Sequence, residues 1–168
     1  MVKNIADYEV SEDAFNLRDT LQRALETLEA VYERYGVPLP ARRYWVLGRP
    51  AEDCEQAVVS FVQLYLGAPG DQASTPQHCN VAPRSVVLEI TVTRNYPIGN
   101  NGKAVAAADL IKASEWGAID SWILMESAAD FDKWDDAGYG PGVISTVTPN
   151  DPAGGLQTVI MNLTVAVP

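Results

Sequence analysis

Residues 84–96, R-S-V-V-L-E-I-T-V-T-R-N-Y, alternate: Val86, Leu88, Ile90 and Val92 fall on one face, and Val87, Glu89, Thr91 and Thr93 on the other. A period of two sustained over that length is a β-strand, and the polar members of the second set predict that it is half exposed. A second such stretch comes late in the chain, where Val159, Met161, Leu163, Val165 and Val167 alternate with Ile160, Asn162, Thr164 and Ala166. Residues 142–148 read as its partner strand. The intervening Pro149-Asn150-Asp151-Pro152-Ala153-Gly154-Gly155 reads as a loop rather than a tight turn.

Working outward, residues 55–66 (E-Q-A-V-V-S-F-V-Q-L-Y-L) are β-branched and aromatic. Val59, Phe61, Gln63 and Tyr65 alternate there with Val58, Ser60, Val62 and Leu64. Both sets are mostly apolar, which predicts a central strand covered on both faces; a helix is the alternative, because short apolar runs are ambiguous by period alone. Residues 43–47 read as a short strand ended by Gly48 and Pro50. Ahead of these, Leu17, Leu21, Leu25, Leu28, Val31 or Tyr32, and Tyr35 recur every three or four residues, the stripe of an amphipathic helix. Ser11 is its candidate N-cap, with Glu12 and Asp13 in the first turn. Gly36 stops it, and Pro38 and Pro40 bar resumption. The first ten residues read as a loose acidic arm. An Ala-rich helix is expected over residues 104–134, with Gly117 marking a bend or a close packing point. The order α-β-β-β-α-β-β in 168 residues predicts a single α+β domain, a mixed and mostly antiparallel sheet with two main helices packed on one face.

Two turn-rich segments, residues 67–83 and 97–103, interrupt these elements. Loops beyond about 12–15 residues in a compact domain are usually binding loops or disordered segments. Gly70, Asp71, Gln72, Gln77, His78 and Asn80 in the first are therefore candidate contact residues, whereas Gly99, Asn100, Asn101 and Gly102 in the shorter second segment become so only through the resemblance given below.

The chemistry-bearing residues are few. His78, the one histidine, adjoins Cys79, and the other cysteine is Cys54. Zinc takes about four ligands at recognisable spacing. These three, without a C-x-x-C pair, predict no metal and no cofactor. Adjacent residues of an extended chain point opposite ways, so His78 is badly placed to activate Cys79, and its service to Cys54 depends on the fold. For Cys54 and Cys79 two alternatives stand, a bridge across the long loop or two free thiols. Asp130, Asp132, Asp135 and Asp136 lack calcium-loop spacing and read as a solvated helix end. Residues 99–103 lack the spacing of a phosphate loop. Trp45, Trp116, Trp122 and Trp134 read as core or subunit-contact residues. No constellation for catalysis stands out, and a non-enzymatic role is the expectation.

The formal charge is −10 and the sequence pI about 4.4. Such a balance repels phosphate and disfavours nucleic-acid affinity driven by counterion release. The N-terminal residues lack the apolar region of a signal peptide, and no apolar run approaches the roughly 18–20 residues that span a bilayer. A protein made and folded in a cytoplasm, without membrane contact, is expected.

Several stretches together resemble the tail terminator proteins of siphophages that infect actinobacteria. They are Val37-Pro38-Leu39-Pro40, Arg43-Tyr44-Trp45, Asp53-Cys54-Glu55-Gln56, Ser60-Phe61-Val62-Gln63 and Tyr65-Leu66-Gly67-Ala68-Pro69-Gly70. Downstream follow Pro83-Arg84-Ser85, Trp122, Leu124-Met125-Glu126-Ser127, Trp134-Asp135-Asp136 and Gly155-Leu156-Gln157-Thr158. The resemblance runs over nearly the whole chain and contains no catalytic motif. It implies a small α+β subunit of a virion, assembled in the host cytoplasm as a homo-hexameric ring at the tail–neck junction. Such a ring caps the tail tube protein, ends its polymerisation and docks a neck stopper or connector protein. DNA passes through the lumen without specific binding, and an acidic ring suits that passage. The two turn-rich segments would then reach a neighbouring subunit or the tube. Alternatives are another neck component (a stopper or adaptor), a tail tube protein, or, more remotely, a small enzyme or ligand-binding domain using Cys54, His78 and Cys79.

Overall fold

The computed structural model describes residues 17–70, 84–99, 103–134 and 143–167. Seven elements follow in the order α1 (Leu17–Arg34), β1 (Arg43–Leu47), β2 (Gln56–Leu66), β3 (Arg84–Asn95), α2 (Ala107–Asp132), β4 (Val143–Pro149) and β5 (Leu156–Val167). The strands form one five-stranded sheet in the order β1-β2-β3-β5-β4, and both helices pack on it. The β1–β2 pair is parallel and the other three pairs are antiparallel. This is the mixed, mostly antiparallel α+β domain that the residue periods predict.

The core lies between the helices and one face of the sheet. In α1 the apolar stripe buries Leu21, Ala24, Leu25, Leu28, Val31 and Tyr32. Its end follows from Gly36, whose φ of 66° lies in the left-handed region that only glycine adopts freely. Facing the helices are Ala57 and Val59 of β2, Val86, Leu88, Ile90 and Val92 of β3, and Val159, Met161, Leu163 and Val165 of β5. The register aligns them into rows, with Val59 opposite Ile90 and Ile90 opposite Met161. Each such buried aliphatic side chain contributes roughly 1.5–3 kcal/mol relative to exposure, so this face is the main stabilising feature of the domain. The Ser11 cap and the acidic arm fall outside the described residues.

Gly117 is a close packing point. A Cβ at that position would stand 2.8 Å from Gln157 Nε2, the movable end of a β5 side chain, so α2 passes close to β5 here.

Two expectations need correction. Residues 55–66 do not form a strand covered on both faces throughout. Gln56, Ala57, Val58, Val59 and Ser60 are buried, but from Val62 onward the strand is largely exposed. A register shift between Phe61 and Gln63 places one extra residue against β3 at this point, and Leu64 and Leu66 beyond it are each about half exposed. The second correction concerns β3. It lies in the middle of the sheet, and Thr91 and Thr93 on its second face are buried.

Candidate functional site

The loop residues singled out by sequence reading are dispersed. Cys54 precedes β2 and Gly70 follows it, so they flank opposite ends of an 11-residue strand, roughly 30 Å apart at strand rise. Gly99 follows β3, which runs antiparallel to β2, and so lies towards the Cys54 end. The two turn-rich segments therefore leave the sheet at opposite ends. Cys54 is a free thiol whose Sγ accepts a hydrogen bond from Arg42 Nη1 at 3.0 Å, and Arg42 also pairs with Asp53 at 2.7 Å. At Gly99 a Cβ would meet the Lys103 carbonyl oxygen at 2.7 Å, so these two positions approach closely. Asp71, Gln72, Gln77, His78, Cys79, Asn80, Asn100, Asn101 and Gly102 lie outside the described residues, as do Asp135 and Asp136. Asp130 is engaged by Arg34 at 2.6 Å and by Lys133 at 3.1 Å. The Arg34 hydrogen bonds, against a smaller opposing effect of burial, hold its carboxyl below the usual range. Among the described residues no three His, Cys, Asp or Glu side chains gather as a metal site.

The polar centre that the structure does assemble is a different one. Arg94 of β3 grips Asp120 of α2 with two hydrogen bonds, Nε to Oδ2 at 2.6 Å and Nη2 to Oδ1 at 2.8 Å. Tyr32 of α1 donates its hydroxyl to the same carboxylate at 3.0 Å, and Arg94 Nη2 also reaches the Pro38 carbonyl at 3.0 Å. The guanidinium lies 4.4 Å from the centre of the Trp116 ring. Asp120 is 1% exposed. Burial and the neighbouring carboxylate push the Tyr32 hydroxyl far above its ordinary value. Burial is the largest single influence on Arg94 and opposes its charge, but the hydrogen bonds and charge of Asp120, with Tyr32 and Glu55 nearby, together outweigh it and raise its pKa. The Tyr32 hydroxyl and Arg94 Nε and Nη2 thus each have an acceptor within the cluster. The cluster ties both helices to the central strand, and its charges are spent on one another. Its sequence signal is Asp120 itself, a charge in the inward register of α2 between Gly117 and Leu124.

The surfaces left over are apolar. The buried residues of α2 are Ala113, Gly117, Asp120, Ile123, Leu124, Ser127 and Phe131. On the opposite side Ile111, Ala118, Ile119, Trp122 and Met125 are exposed, Trp122 by 53%. At 100° per residue these five fall into one outward stripe, with the carboxylates of Glu115 and Glu126 among them, so α2 is largely apolar on two faces. Tyr35 meets Trp122 edge-to-face at 4.8 Å and donates a hydrogen bond to Glu126 at 3.3 Å, holding the indole upright at the surface. A second apolar area is the far half of β2, where Val62, Leu64 and Leu66 are each about half exposed beside Leu47. Sequence reading placed Trp122 as core or contact; the exposure settles that it is not core.

No helix among the described residues is long and apolar enough to cross a membrane. The chain matches no known protein-family model and no curated protein.

Proposed function

We propose that this chain is a structural subunit of a phage tail–neck junction, a tail terminator that assembles as a hexameric ring, closes the tube and lets DNA pass. The observation that carries the assembling role is the outward stripe of α2. Exposed apolar patches rimmed by polar residues mark interaction sites, and a helix apolar on both sides has one face still to be covered. The far half of β2 is a separate apolar surface, left for a partner other than the neighbouring copy. A closed ring is built from heterologous contacts, in which each subunit presents two unlike surfaces to its neighbours. The charge balance fits the conduit. Six copies carry six times the formal −10, and a negative lumen repels phosphate rather than retaining it. The polar side chains of the buried cluster are mutually satisfied, which accords with a scaffold rather than a catalyst. The resemblance described above supplies the name of the role.

The test is to image particles assembled without this protein. Over-long tails detached from heads are expected; tails of normal length joined to heads would refute the terminator role. Native mass spectrometry of the purified chain with tube protein gives the ring order.

A further inference from the structure

β1 ends at Leu47, where Gly48, at φ 87°, turns the chain away after donating its N–H to the Phe61 carbonyl at 3.2 Å. Past that point no described strand lies on this side of β2, although β2 continues to Leu66 against β3. Among the described residues, the backbone donors and acceptors on the outer edge of residues 62–66 have no strand partner. Natural sheets usually blunt such edges with charges or proline. Here the edge carries Val62, Leu64 and Leu66, each about half exposed.

Beside this edge, on the face turned from the helices, lies a cavity of about 180 Å³. Gly48, Arg49, Ser60, Phe61, Val62 and Glu89 line it. Ser60 and Glu89 stand directly opposite one another in the β2–β3 ladder. Ser60 is 2% exposed, and its hydroxyl has no hydrogen-bond partner. Glu89 is half-buried, and among the described residues neither it nor Arg49 forms an ion pair. Arg49 is exposed and keeps its hydration; the partly desolvated carboxylate is the group that needs a counter-charge. A lysine or arginine head has donors enough for both the carboxylate and the buried hydroxyl, and a cavity of this size holds one side chain.

We propose that residues 62–66 of β2 accept an extended segment of a partner protein as an added strand, keyed by a lysine or arginine of that segment on Glu89. Main-chain pairing supplies affinity in such strand addition, and the pocket for one side chain supplies selectivity. The apolar neighbours of the basic residue cover Val62, Leu64 and Leu66. A second copy of this chain fits less well. Its own outer strands offer V-I-S-T-V-T-P in β4, which has no cation, and β1, whose Arg43 is already paired with Glu29 at 3.3 Å. The site stands independently of the ring, since it needs only the monomer.

The test titrates the isotope-labelled full chain with two synthetic peptides, acetyl-Ser-Val-Lys-Val-Thr-amide and its counterpart with glutamate for lysine. The lysine peptide should shift the amides of residues 60–66 and of Glu89 saturably, with Kd of about 1 mM or tighter, and the glutamate peptide should bind at least about tenfold more weakly. Glu89→Gln should erase that preference while the rest of the spectrum stays in place. Val62→Pro, which removes one backbone N–H from residues 62–66, should weaken both peptides. The inference is overturned by the absence of saturable shifts, by equal binding of the two peptides, by an undiminished preference in Glu89→Gln, or by shifts confined to another surface. It is overturned equally if residues 62–66 prove to be buried by self-association of the chain.

Discussion

Arg94 and Asp120 meet in a two-pronged ion pair, with N···O distances of 2.6 and 2.8 Å, and the Asp120 side chain is only 2% exposed. Twenty-six positions separate them in the chain, and the pair fastens the central strand to the long helix. The hydroxyl of Tyr32 extends the same network to the first helix.

Breaking this pair from one side leaves a buried charge without compensation. Asp120→Ala and Arg94→Ala should each destabilise the domain by about 3–5 kcal/mol, read from the midpoint of urea unfolding. Tyr32→Phe, which keeps the ring and removes one hydrogen bond to a charged acceptor, should cost about 1.5–3 kcal/mol. A double replacement of Arg94 and Asp120 by apolar residues should cost less than either single alanine variant. An Asp120→Ala protein as stable as the parent would contradict the assigned role.

The ion pair of Arg34 with Asp130 links the two helices nearer the surface. The folded-state pKa of Asp130 is depressed below its ordinary 3.8, chiefly by the hydrogen bonds from Arg34. Stability from that pair is therefore fully present above this pH and is lost as the pH falls through the lowered value. Asp130→Asn should be less stable than the parent near neutral pH and should converge on it in acid. Urea midpoints across an acid-to-neutral pH series check this.

Gly117 offers a test of helix–sheet contact. Alanine there gains about 1 kcal/mol of helix propensity but pushes on the flexible end of Gln157, so the net change should be small. Leucine at the same position has no space and should cost about 1–3 kcal/mol by lifting α2 from β5. Thermal unfolding of the two variants separates a packing role from a merely permissive one.

Trp122 is more than half exposed, so its removal should barely touch the monomer. Trp122→Ala is expected to change unfolding free energy by less than about 1 kcal/mol, and Trp122→Glu to do so while placing charge in the middle of the outward stripe. Under the proposed ring, both variants assemble poorly, which sedimentation velocity measures. A Trp122→Glu chain that forms normal rings would remove that face from the interface.

Local periodicity made most of the fold legible. The strict alternation of residues 84–96 and 156–167, and the three-to-four spacing of Leu17 to Tyr35, placed the elements to within a few residues because strand and helix periods depend only on neighbours in the chain. Gly36 and Gly48 marked their ends for the same reason, through conformations that a side chain resists. The interaction surfaces were less legible. The charge and the loops pointed to assembly, but the loop residues fall mostly outside the described structure, and the exposed apolar side chains that are described lie mainly on α2 and β2. Trp122 and Val62 look like core residues in a sequence, since exposure is decided by what packs against them.

The chain by itself determined the number and order of the elements, the acidic balance, and the apolar faces of β3 and β5. Tertiary structure alone decided which charges meet, as Arg94 meets Asp120 across 26 positions, and where the ladder slips, between Phe61 and Gln63. It also decided that α2 covers the sheet with one apolar face and turns the other outward. These outcomes rest on contacts between residues distant in sequence, whose energies depend on register and burial, and neither is encoded in any local period.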